Sequence, residues 1–349
     1  AMSGNYTINA ATPTGGTNFK SFNDFSDALY QKGVCGPVEV DVLPGIYNEA
    51  VTFRDHPGAG PGNPVRINGH GQRLFYATGT GSNDIRHLLT LSGTKYMRID
   101  SMVLFTASDR GWGTWITGGA MYDSITNCRY DMTTITATAA ANGTGIAFSS
   151  STSSPTGSGV SGKHCYIAGN HMQGPVAAGG PYYGVSMGSG GNDSNIIVNN
   201  IFENILNTGV YLSSTAGTLV QGNEIHRSTK QVASVLYGVS VLGASPGTRV
   251  IGNKIHSPVT DTVTAVNFNF RGINVGSSGA GTAQDPLLLA NNVIYNINMG
   301  STSGAGAQGI YLDGASHVKV YHNTVAFNAA YTGAGTNVGI YATGTLGNV

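Results

Sequence analysis

Apolar and polar residues alternate along this chain in short runs of four to six positions, and the runs repeat two phrases. One phrase is centred on an Asn: "IAGNHM" holds Asn170, "IVNNIF" Asn200, "VQGNEI" Asn223, "VIGNKI" Asn253, "LANNVI" Asn292 and "VYHNTV" Asn323. These Asn residues are spaced by 30, 23, 30, 39 and 31 positions, and a weaker copy, "ITNCRY", sets Asn127 43 residues before Asn170. The other phrase is a Gly followed by a β-branched residue, as in "TGIAF" at Gly145, "YGVSM" at Gly184, "TGVYL" at Gly209, "YGVSV" at Gly238, "RGINV" at Gly272, "QGIYL" at Gly309 and "VGIYA" at Gly339. The two phrases alternate from Asn127 to the end.

A period of two predicts strands. No stripe of period 3.6 joins the phrases, so the crossover helices of an ordinary α/β sheet are missing. A repeat of this length predicts a solenoid or a propeller, and the four strands per blade of a propeller do not fit. A parallel β-helix does fit: each coil lays down short strands, and coils stack about 4.8 Å apart. Asn tolerates the left-handed backbone of a tight bend, and stacked Asn amides hydrogen-bond along the column as a ladder. The repeated Asn residues are therefore read as structural. Near the N-terminus, "SFNDFSDALYQKGV" puts Phe22, Phe25 and Leu29 at helical spacing behind Ser21 or Asn23 as N-cap. A helix there would cover the open end of the first coil, where an exposed sheet edge invites aggregation.

The stretches "YTINAATPTGGTNFKSFNDFSDAL", "GVCGPVEVDVLPGIYNEAVTF" and "PGNPVRINGHG" resemble the start of secreted right-handed parallel β-helix proteins of the pectate-lyase-like superfamily. The wording is similar to the multi-domain surface or secreted proteins of Bacteroidetes that leave by the type IX system. The resemblance implies an all-β, single-stranded right-handed parallel β-helix of about ten coils with a short N-terminal capping helix. It also implies export. Activity is left open, since such proteins include adhesins, binding modules and polysaccharide-degrading enzymes. The organisation expected is a cloning scar at 1–3, a cap and first coil at 4–55, and coils over 56–349 that break off within a longer multi-domain protein, itself a monomer.

Composition narrows the partners. Of 349 residues 52 are Gly, about twice the usual share, and only 10% are charged, with 17 basic and 17 acidic residues. No basic run of the kind that tracks phosphates is present, which argues against nucleic acid. No apolar stretch approaches the length of a membrane span. The three cysteines, Cys35, Cys128 and Cys165, form no CxxC and read as buried free thiols.

Strand alternation locates candidate chemistry. The second residue after each Asn is apolar and belongs to the core, so the first and third point outward. The outward columns bring Glu203, His226, His256 and Tyr295 onto four successive coils beside Glu224 and Lys254. β-Elimination on a polysaccharide needs a base, a neutraliser for the uronate and an acid, and glycoside hydrolysis needs two carboxylates. As catalytic groups these six residues should converge on a groove; the alternative is a solvated face of weak ion pairs. A zinc reading of His226 and His256 would need a third ligand such as Glu203. No cofactor is expected: the Asp clusters that hold calcium in pectate lyases have no counterpart here.

The second candidate is "SDRGWGTW", which holds both tryptophans, Trp112 and Trp115, beside Asp109 and Arg110 in a Gly-rich segment without strand alternation. A Trp ring there suits stacking on a sugar, and at least one ring should be partly exposed. Tyr182 and Tyr183 in "GGPYYG" add rings in another loop, and Tyr211, Tyr311 and Tyr341 form an outward column. The competing account is that loop aromatics fold back and pack. The reading as a whole is a secreted or cell-surface module that binds a polysaccharide or oligosaccharide, with a polysaccharide lyase or glycoside hydrolase as alternative.

Overall fold

The computed structural model describes residues 1–77, 86–232, 234–260, 268–276, 280–297, 306–327 and 336–349. Three parallel sheets of 12, 10 and 10 strands run the length of the molecule, and a two-stranded sheet supplements them. One coil shows the path. It passes through Tyr166–Ala168 in the first sheet, bends to His171–Gln173 in the second, and crosses a loop to Tyr183–Met187 in the third. The next coil then opens at Ile196–Val198, back in the first sheet. Every strand pair is parallel, which makes the chain a parallel β-helix.

The core is built from stacked inward columns. In the first sheet Ile99, Ile125, Ile167, Ile197, Val220, Val250 and Leu289 lie in register, and all are buried. Each coil alone would expose its apolar side, so stability comes from stacking neighbours. The helix Phe22–Lys32 closes the first end. Ser21 is its N-cap and accepts from the Asp24 N–H, while Glu49 accepts from the Phe22 and Asn23 N–H groups. Phe22 packs edge-on against Tyr47, and Phe25 against Phe53.

The Asn ladder runs through Asn170, Asn200, Asn223, Asn253, Asn292 and Asn323. In each step the backbone N–H and side-chain Nδ2 of one Asn both donate to the Oδ1 of the next, at 2.8–3.0 Å. Each Nδ2 also donates to a carbonyl of a neighbouring coil, such as Ile167 for Asn200 and Val220 for Asn253. One part of the expectation is corrected. The left-handed residue of the bend is the one before the ladder Asn: Gly169, Asn199, Gly222, Gly252, Asn291 and His322. Asn127 belongs to that position, and Cys128 occupies the ladder position of its coil, its N–H bound by Asn170 Oδ1. The bend is thus divided between two residues, the left-handed one and the ladder Asn that follows it.

The Gly of the second phrase has a different cause. A Cβ on Gly145 would lie 1.9 Å from Met172 Cε and 2.5 Å from the Gly184 carbonyl. The same overlap with the next coil's carbonyl recurs at Gly184, Gly209, Gly238, Gly272 and Gly309. The strands of the third sheet approach too closely for any side chain there.

Two further expectations are corrected. "GWGTW" is strand Gly111–Thr117 of the third sheet, and Tyr183 opens strand Tyr183–Met187. Gly113 sits where Gly145 sits one coil later, so this is an early copy of the Gly phrase, disguised by its flanking glycines. Of the cysteines only Cys128 and Cys165 are buried; Cys35 is exposed.

Candidate functional site

The second sheet carries the outward columns read from the sequence. Asp131, Gln173, Glu203, His226, His256 and Tyr295 are successive register partners, and beside them run Arg129, His171, Ile201, Glu224, Lys254 and Val293. The side chains interact diagonally between coils. His171 Nε2 lies 3.0 Å from Glu203 Oε2, and His256 Nε2 lies 3.0 Å from Glu224 Oε1. The His226 ring stacks on His256 at 5.0 Å, and His256 on Tyr295 at 4.6 Å. The hydrogen bond from His256 holds the Glu224 carboxyl below the usual range, while burial lowers the His226 imidazole and raises the Tyr295 phenol. The six residues named from the sequence thus share one sheet face. They form two straight columns, with each carboxylate bound to a His. Lys254 is exposed on this face. Among the described residues no group of three or more His, Cys, Asp or Glu side chains is arranged to hold a metal ion.

Of the two tryptophans, one is partly exposed, as expected, and the other is not. Trp112 is fully buried on the outer side of the third sheet, its Nε1 donating to the Ala141 carbonyl. Trp115 is half-buried, and its Nε1 donates to the Ser149 carbonyl. His87 lies between the two rings at 4.7 and 4.3 Å and meets the Thr152 carbonyl at 3.1 Å. Burial pushes its imidazole down to about 4, so it stays neutral at physiological pH. The turn Ala140–Asn142 and the segment after Ser149 are thus fastened over these rings, and Trp112 has no face left for a ligand. Asp109 and Arg110 pair with each other at 3.1 Å, and the Asp109 carbonyl accepts from the Thr136 and Ala137 N–H groups.

Further along the same face the Tyr rings are half-buried among the described residues. The residue before each coil Gly and the second residue after it form two outer columns. The first holds Tyr183, Thr208, Tyr237, Arg271 and Gln308; the second holds Ser186, Tyr211, Ser240, Asn274, Tyr311 and Tyr341. Tyr182 packs on Tyr183 at 4.9 Å and Tyr183 on Tyr211 at 5.0 Å; Tyr311 stacks on Tyr341 at 5.6 Å. The Arg271 guanidinium lies 3.4 Å from the Tyr311 ring centre and donates to Asn274 Oδ1. Arg271 Nε and Gln308 Oε1, in adjacent register positions, are buried without a hydrogen-bond partner among the described residues. Burial raises the Tyr183 and Tyr211 phenols, so both remain donors across the physiological range. The column of Tyr211, Tyr311 and Tyr341 was legible in the sequence; Tyr237, Arg271 and Gln308 were missed, although each is the residue before a coil Gly.

A third feature had no sequence signal. A groove of about 500 Å³ opens on the first sheet, lined by Arg66, Arg98, Tyr96, Tyr122, His164 and Tyr166 among others.

Comparison with known proteins supports the architecture. The family model for a right handed beta helix region matches residues 178–349, just under half of the chain. The fold is similar to that of the Dettilon tailspike protein, at 15% identity and TM-score 0.51, over 90% of this chain and 55% of the tailspike. It is also similar to the surface protein and adhesin PfbA of Streptococcus pneumoniae (11% identity, TM-score 0.49, 89% of this chain and 86% of that one). An alginate lyase from Paenibacillus sp. str. FPU-7 is a further relative in shape (14% identity, TM-score 0.48, 92% and 97%). At these identities the likeness is one of fold. No curated protein matches the sequence significantly. The class is thereby defined: the chain is a right-handed parallel β-helix.

Proposed function

We propose that this protein is an extracellular glycan-binding module that holds a saccharide chain against the outer face of its third sheet. One observation carries the reading: half-buried Tyr rings run along that face in two columns, with Arg271 and Gln308 each offering a buried polar atom that no described residue satisfies. Flat rings offer apolar area with a polar edge, and a few unsatisfied donors and acceptors among them fix orientation. A buried polar atom without a partner costs free energy, which a sugar hydroxyl would relieve. Structures of similar shape include an adhesin, a tailspike and an alginate lyase, company that fits the reading. No described helix is long and apolar enough to cross a membrane.

The enzymatic alternative would use Glu203, Glu224, His226, His256 and Tyr295. What favours it is the continuous contact from Glu224 through His256 to Tyr295. Binding is the stronger reading, because Arg271 and Gln308 on the third sheet carry polar atoms that no described residue satisfies, whereas Glu203 and Glu224 are already engaged by His171 and His256.

The test is a panel of neutral and acidic polysaccharides, scored for binding and for product release. Binding without release is expected, and Tyr211→Ala combined with Tyr311→Ala should weaken it by about 1–3 kcal/mol, the scale of a lost stacking contact. Binding of a neutral polysaccharide that survives the double variant, or no binding across the panel, would overturn the proposal. Product release abolished by Glu224→Gln would instead establish the enzymatic reading.

A further inference from the structure

The turn leading into most strands of the first sheet holds a residue in the left-handed region. Along the axis that position is Tyr96 (φ 56°), Tyr122 (57°), His164 (54°), Ser194 (57°), Gly217 (61°), Gly247 (66°) and His317 (51°). Gly takes this conformation freely, whereas a bulky residue is strained in it. Gly217 and Gly247 show that the fold itself asks for nothing larger. Three consecutive coils nonetheless carry Tyr, Tyr and His, the strained kind of position that tends to mark functional sites.

The three rings lie parallel. Tyr96 and Tyr122 are 5.0 Å apart at 11°, and Tyr122 and His164 are 4.9 Å apart at 6°. They stand outside the core, and Tyr122 is 45% exposed. The groove of about 500 Å³ lies beside them. Arg66, Arg98, Ser124 and Tyr166 form one outward column of the first sheet along it. Both arginines are exposed, and neither guanidinium hydrogen-bonds or ion-pairs with a described residue. Nearby acids offset Arg66 in part, since Glu39 is its register partner and Asp100 stays ionised beside it, while Arg98 has only Arg66 and Ser124 as register partners. Asp100, which feels Arg66, already accepts from Thr126, Asn127 and Ser101. Asp123 is buried beneath, engaged by Thr94 and the Met97 N–H.

We infer that this groove is a second saccharide site, distinct from the third-sheet strip, and that it takes an acidic sugar. The sugar lies along the Tyr96–Tyr122–His164 wall, and Arg66 and Arg98 hold its carboxylate or sulfate. A guanidinium offers two parallel donors that match either anion, and the adjoining wall of rings supplies flat apolar area for the sugar ring. The inference rests on the first sheet alone and does not need the third-sheet reading to hold.

Titration calorimetry tests it with three probes: a galacturonate hexamer, a sulfated hexasaccharide of the same length and neutral cellohexaose. Arg66→Gln combined with Arg98→Gln should weaken the acidic probe by at least about tenfold, roughly one charge-assisted contact. Whichever of the two acidic probes binds the tighter names the anion. Tyr122→Gly separates function from structure. Gly is free to adopt this backbone, so melting temperature should hold or rise while acidic-sugar affinity falls. Tyr211→Ala on the third sheet should leave acidic-probe affinity at this groove unchanged, so the two sites fail independently. Absence of acidic-probe binding, equal affinity for cellohexaose, or affinity indifferent to the first-sheet variants would each overturn the inference.

Discussion

The side chain of Asn253 serves two coils at once. Its Oδ1 accepts from the N–H and Nδ2 of Asn223, and its Nδ2 donates to Asn292 Oδ1 and to the Val220 carbonyl. All of these groups are buried. Asn253→Ala takes the acceptor from the Asn223 N–H and from one Nδ2 hydrogen of Asn223, and a donor from the Val220 carbonyl, while Asn292 Oδ1 keeps the backbone N–H of residue 253; an orphaned buried group costs more than the net worth of the bond it made. Loss of about 1–3 kcal/mol is expected, read by urea denaturation. A variant as stable as the parent would mean that the ladder is ornamental. The same accounting explains two buried cations. Arg227 donates to the carbonyls of Ile205, Leu206, Ser234 and Val235, and Lys230 Nζ donates to those of Pro175, Ala177 and Gly179 at 2.8–3.1 Å. Backbone carbonyls stand in for a carboxylate, and they tie the loops after Gln173 and His226 together.

At the scale of the element, the tryptophans hold loops down. The Ala141 and Ser149 carbonyls are fixed by the two indole N–H groups, and His87 packs between the rings. Trp112→Ala should cost about 3–5 kcal/mol, as for other buried large aromatics. Its thermal shift should be large while any glycan affinity at Tyr211 stays within error; unchanged stability would refute the anchoring role. This element also shows where sequence reasoning reached its limit. Coils from Asn170 onward were legible because a side chain repeats for a stated reason: Asn for the ladder, Gly for the close approach to the next coil. Outward columns of the second sheet followed from alternation alone. In "GWGTW" a second glycine, Gly111, stands two positions before Gly113, the one the fold requires, so the strand lost its signature and its Trp residues were read as loop. The first-sheet groove was illegible for another reason. Tyr96, Tyr122 and His164 are 26 and 42 residues apart, and only the bends and insertions of each coil bring them into line.

Over the whole molecule, the low charge content makes the few buried ionisable groups decisive for pH dependence. Burial pushes Asp123 up to about 7 from 3.8, so between those values the folded state keeps a proton that the unfolded chain has released. Stability from this group is fully present below about pH 4 and is lost as pH rises toward 7. Burial moves Lys230 the opposite way, down to about 7 from 10.5. Between pH 7 and 10.5 the unfolded chain binds the extra proton, so stability rises with pH across that window. His87, pushed down to about 4 by burial, contributes a rise between about pH 4 and 6.5 that opposes the Asp123 fall, so the parent is nearly flat there, and the Lys230 rise stands unopposed above 7. Replacement isolates each limb. Asp123→Asn should leave the His87 slope unopposed, so that stability rises between pH 4 and 6.5, and Lys230→Met, although less stable throughout for want of three carbonyl contacts, should flatten the rise above 7. Urea denaturation at pH 5, 7 and 9.5 reads both slopes against the parent. An Asp123→Asn curve no steeper than the parent's between pH 5 and 7, or a rise above 7 that survives Lys230→Met, would show that these two groups do not govern the pH dependence of the coil's stability.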